Sequence, residues 1–150
     1  MSSSSSSSSK NTIVIVPGAW QKPEAWDILI QKLADAGHVA RLVPLPSVGG
    51  TETILTGLKE DVAAVQAVLS QLKQDGQKPP LLLCHSSGGV VGSNVAQGHT
   101  VAGIIFLSAF VLPEGKSLLD MLGGQPLPWM DVQVRRMIDP ILLESSHWLY

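Results

Sequence analysis

The chain has 150 residues, 45% of them apolar and 15% charged, and 10 basic against 12 acidic side chains leave a net charge of −2. That balance fits one globular domain, excludes wholesale disorder, and argues against nucleic acid or an anionic membrane surface held by bulk charge. A single cysteine, Cys84, excludes an intrachain disulfide and multi-thiolate zinc sites, and no apolar run reaches the roughly 18 residues of a membrane span. The first ten residues are polar and offer no signal-peptide core. The expectation is a cytoplasmic protein with no cofactor and no metal, whose partner is a small-molecule substrate.

Residues 1–11 form a serine-rich tail, read as disordered because it buries no apolar surface and loses much entropy on ordering. From Thr12 onward, strands and helices alternate. Ile13-Val14-Ile15-Val16 is an apolar, β-branched run closed by Pro17-Gly18, the pattern of a buried parallel strand. A helix is expected from Pro23 to Ala36, with Pro23 at its first position and Gly37 past its end. Its Trp26, Leu29, Ile30 and Leu33 make one apolar face. A strand is expected over His38–Leu45 and a longer helix over Thr56–Asp75. The stripe Leu58, Val62, Val65, Leu69, Leu72 of that helix faces a core. Leu81–Cys84, Gly89–Gln97 and Val101–Phe110 read as strand, helix and strand. Such alternation implies βαβ units: an α/β fold of three layers, α/β/α, with a mostly parallel sheet of about four readable strands. Residues 12–116 make this core. Residues 117–150 hold Pro126, Pro128 and Pro140, and read as an irregular segment with one or two short helices.

The chemistry lies in Cys84-His85-Ser86-Ser87-Gly88-Gly89. A strand runs into a tight turn centred on serine, and glycines open the next helix. Except at its first position, where Cys84 replaces glycine, this is the Gly-x-Ser-x-Gly nucleophile elbow. The turn presents Ser86 Oγ at the carboxyl end of the sheet. Gly88 and Gly89 let chain and helix approach closely, and the helix N-terminus favours a developing oxyanion. The Ser87 N–H is the natural first oxyanion donor. The Ala19 N–H, in the loop after the first strand, is the expected second, with Gly18 letting the backbone turn inward. Trp20 and Trp26 read as packing residues. Ser108 is expected to face the core.

These residues resemble the α/β-hydrolase superfamily, and most closely its branch of small esterases and hydroxynitrile lyases. The resemblance rests on Pro17-Gly18-Ala19, Trp26, Ala36-Gly37-His38, Leu45-Pro46-Ser47-Val48-Gly49, the elbow, and Phe110-Val111-Leu112-Pro113-Glu114-Gly115, and covers about residues 12–120. It implies that Ser86 is the nucleophile and that Ala19 and Ser87 form the oxyanion hole. It also implies a hydrolase of ester or similar acyl bonds in a small, mostly apolar molecule, in small-molecule metabolism. A lyase on the same site is a variant. Residues 117–150 would correspond to a lid-like region.

Such a serine needs a base oriented by a carboxylate, in the chain order Ser, Asp or Glu, His. His147 is the one histidine after the elbow with acids between, so Ser86, Asp139, His147 is the order on offer, with a histidine from elsewhere as the other source. His85 adjoins Ser86 and should point away from it, and His38 and His99 should be solvated. The two further strands that would carry acid and base are not visible in the pattern. The alternative is therefore a catalytically inactive remnant or truncated product, with a binding role only. Val101–Leu107, as a bare apolar edge strand, would favour self-association.

Overall fold

A computed structural model describes residues 10–49 and 56–125, together with Pro128. Asp139, His147 and the serine tract over residues 1–9 lie outside the described residues. Four strands, β1 (Ile13–Val16), β2 (Ala40–Leu42), β3 (Leu81–Ser86) and β4 (Gly103–Ala109), form one sheet in the order β2-β1-β3-β4. Every pairing is parallel. The connecting helices are α1 (Asp27–Asp35), α2 (Leu58–Gln74) and α3 (Gly88–Ala96), and a short α4 (Leu118–Met121) follows β4.

The sheet is covered on both faces, because successive side chains of a strand point to opposite sides. Ile13 and Ile15 of β1 pack with Leu83 and Trp26 against Leu29, Ile30 and Leu33 of α1. Val14 and Val16 face the other way, into a larger core with Leu82, Cys84, Val65, Leu69, Leu72, Val91 and Val95. The apolar face expected on each of the first two helices is the face that packs. The result is the three-layer α/β/α arrangement, with β1 and β3 in its centre.

Several boundaries move for local reasons. The first helix opens with a 3-10 turn over Pro23–Trp26, closed by the Ala25 N–H donating to Lys22 O at 3.1 Å. That tighter turn precedes α1 and leaves Trp26 buried. β2 keeps only three of the eight residues expected. The His38 N–H is taken by Leu33 O at 2.9 Å as Gly37, at φ 73, closes α1, while Pro44 and Pro46 have no N–H to give. β3 runs two residues further than expected, carrying its ladder up to Ser86. Lys10 and Asn11, assigned to the tail, are tied to the core: Lys10 Nζ donates to Ala36 O and Asn11 Nδ2 to Pro79 O.

On β4, Ile105, Phe106 and Leu107 keep 44%, 37% and 44% of their surface exposed. Among the described residues nothing pairs with its outer edge. At α4, Ser117 Oγ accepts from the Asp120 N–H while Asp120 Oδ2 accepts from the Ser117 N–H, a reciprocal cap that starts the helix.

Candidate active site

Ser86 is the last residue of β3, and its backbone sits at φ 53, in the left-handed region. That conformation costs a non-glycine residue about 1–2 kcal/mol and persists only where the surroundings impose it. Here close backbone contacts impose it. A Cβ on Gly88 would run into the carbonyl oxygens of Val16 and Pro17, and one on Gly89 into that of Phe110. A Cβ on Gly18 would stand 2.7 Å from Ser86 Cβ. The three glycines therefore let the loop after β1, the turn and the end of β4 meet around one serine. On the far side, the Phe110 N–H donates to Ser86 O at 3.0 Å. Ser108 makes this register possible: it is an exposed bulge residue at φ 44, not a core-facing one, and it shifts the pairing so that Ser86 stands opposite Ala109.

Cys84 fills the elbow position where glycine is usual. It is fully buried, and burial pushes its thiol up to about 12. A Cβ on Gly92 of α3 would collide with Cys84 Sγ. The glycine missing from the strand is thus matched by one on the helix packed over it, and Cys84 is an unreactive core residue.

The loop after β1 is held by side chains. The Gly18 N–H donates to Gln21 Oε1 at 2.8 Å. The same oxygen lies 3.1 Å from His85 Nδ1. An amide oxygen only accepts, so in this contact His85 Nδ1 is the donor. The His85 ring stands edge-on to Trp26, with centroids 5.7 Å apart. His85 is thereby turned to the loop, in a supporting position. The Ala19 N–H donates to Ser87 Oγ at 2.8 Å. Ser86, Ser87, Gly18, Ala19, Gly88 and Gly89 are brought together at the carboxyl edge of the sheet, where open α/β folds bind ligands.

Sequence reasoning missed Gln21 and the Ser87 hydroxyl, because side-chain contacts to loop amides leave no periodicity or spacing signal. It also grouped two tryptophans that the structure separates: Trp26 is buried, whereas Trp20, at φ 62, is 74% exposed beside the loop. His99, expected in solvent, buries its Nδ1 without a partner among the described residues. Asp61, given no role, is buried and accepts from the Ser47 N–H and Oγ at 2.9 and 2.6 Å, fastening the loop after β2 to α2.

A serine in left-handed backbone at a strand-to-helix turn, faced by a backbone loop from the neighbouring central strand, defines the α/β-hydrolase class of site. The chain belongs to the alpha/beta hydrolase family, whose model matches residues 13–149. That span runs well past the motif-bearing region at residues 12–120. Alpha/beta hydrolase nvfD of Aspergillus novofumigatus is 28% identical over 123 residues, covering 75% of this chain and 48% of that protein. Among solved structures, an extracellular alpha/beta-hydrolase from a Paenibacillus species is 26% identical with a TM-score of 0.62, over 74% of this chain and 46% of the other. A pyrethroid hydrolase from Sphingobium faniae JZ-2 is 26% identical with a TM-score of 0.53, over 66% and 40%. The chain spans about half the length of the curated relative it matches.

Proposed function

We propose that this chain carries the nucleophile and oxyanion-binding part of a serine hydrolase acting on an ester or similar acyl bond of a small, mostly apolar molecule. The observation that carries this reading is the left-handed Ser86 at the end of β3, with Ala19 and Ser87 beside it. The hydrolases among its relatives support it. Ser86 Oγ attacks the carbonyl carbon and gives up its proton to a histidine. The carbonyl oxygen, now anionic, is held by the Ser87 and Ala19 N–H groups. Collapse of the tetrahedral adduct expels the alcohol, which takes the proton back, and water releases the acid from Ser86 by the same steps. Within this chain the candidate base is His147, with Asp139 as its acid.

Labelling of the purified chain by a fluorophosphonate probe, read by intact mass, tests this. Such probes report an activated serine and not merely an exposed one. The expected result is one adduct per chain, lost in Ser86→Ala and sharply slowed in His147→Ala. A folded chain that takes up no probe overturns the reading.

A further inference from the structure

We infer that the Ser87 side chain is a built-in occupant of the oxyanion hole, holding the Ala19 N–H at rest and giving way when substrate binds. This rests on the reading of Ser86 as nucleophile and of Ala19 as an oxyanion donor.

Ser87 has two groups with opposite behaviour. Its backbone N–H opens α3 and belongs to the oxyanion hole. Its hydroxyl oxygen accepts the Ala19 N–H at 2.8 Å, as an oxyanion would. Ser87 is buried and Ala19 half-buried, so water has restricted access to this bond. An N–H already committed to Ser87 Oγ is not available to a carbonyl oxygen. Full use of both donors requires the Ser87 side chain to turn about χ1, a single-bond rotation between staggered wells. The neighbouring amide offers no substitute, since the Gly18 N–H is committed to Gln21 Oε1.

The arrangement has a purpose in physical terms. A half-buried loop N–H without an acceptor would be an unsatisfied donor, which destabilises the loop that carries it. The Ser87 hydroxyl satisfies it until an oxygen bearing more negative charge arrives. Anionic acceptors make stronger hydrogen bonds than neutral ones, so the exchange favours the tetrahedral state over the neutral carbonyl ground state. Ser87 therefore positions the loop in the resting site and weakens ground-state binding.

The test combines a readout that needs no catalysis with one that does. Amide hydrogen exchange at Ala19 is measured in the full chain, in Ser87→Ala and in Ser87→Cys, whose sulfur is a weaker acceptor of nearly the same shape. The expected result is exchange at Ala19 at least about tenfold faster in Ser87→Ala and intermediate in Ser87→Cys, with the β3 amides unchanged. Fluorophosphonate labelling is expected to be about two- to tenfold faster in Ser87→Ala, the range of one modest hydrogen bond that no longer has to be broken. Unchanged exchange at Ala19 in both variants overturns the inference. So does slower labelling of a folded Ser87→Ala, which would make the hydroxyl a donor to the reaction. Faster exchange at Ala19 with no labelling of any variant supports the Ser87–Ala19 contact and overturns the hydrolase reading instead.

Discussion

The strain at Ser86 can be measured separately from its chemistry. Its φ of 53 is a position that glycine occupies at little cost and alanine does not. Ser86→Gly and Ser86→Ala both delete the hydroxyl, so both should abolish labelling. In urea, however, Ser86→Gly should be more stable than Ser86→Ala by about 1 kcal/mol. Equal stabilities would mean that the turn relaxes out of the left-handed region once the hydroxyl is gone. The serine itself was legible in the sequence, because its flanking glycines and the preceding apolar strand leave few alternatives. The contacts that tune it were not. Gln21 sits in a loop whose amide partners depend on tertiary folding, and nothing in Pro17-Gly18-Ala19-Trp20-Gln21 distinguishes an acceptor for the Gly18 N–H from a solvated side chain.

At the scale of elements, β3 and α3 meet through one matched pair of residues. Cys84 and Gly92 are eight positions apart in sequence, and a Cβ on the second collides with the sulfur of the first. Gly92→Ala alone should destabilise the fold by about 2 kcal/mol through overpacking. Cys84→Ala alone should cost less, since only the sulfur is removed. The double variant should recover about 1 kcal/mol relative to the sum, read from a double-mutant cycle of denaturant midpoints. Strict additivity would show that α3 moves aside instead. The same elements show where sequence reading succeeds. Buried strands such as β1 announce themselves by composition, and the stripe of α2 by its period. β2 was overdrawn because His38 and Val39 are as compatible with a helix-closing turn as with a strand. Only the hydrogen bond from the His38 N–H to Leu33 decides between them.

For the whole molecule, the sheet's two sides differ. β1 and β3 are flanked by partners and covered by helices, whereas β4 exposes Ile105, Phe106 and Leu107. Apolar edges of this kind template pairing with another strand. The chain of 15.9 kDa should therefore show a weight-average mass in sedimentation that rises with concentration. Leu107→Lys should lower that rise, as charge on an edge strand does in natural sheets. A mass independent of concentration in the unsubstituted chain would mean that the edge is already satisfied.

The bond from the Phe110 N–H to Ser86 O gives that edge a further meaning. Residues leaving β4 hold the carbonyl of the nucleophile candidate, and the Phe110 carbonyl presses against Gly89 at the start of α3. Among the described residues β4 pairs on one side only, with β3, and edge strands open locally more readily than central ones. Fraying of β4 past its bulge at Ser108 would remove the tether on the Ser86 carbonyl and free the strained turn to relax. A strand that paired with β4 and damped such fraying would hold Ser86 in its left-handed conformation for longer.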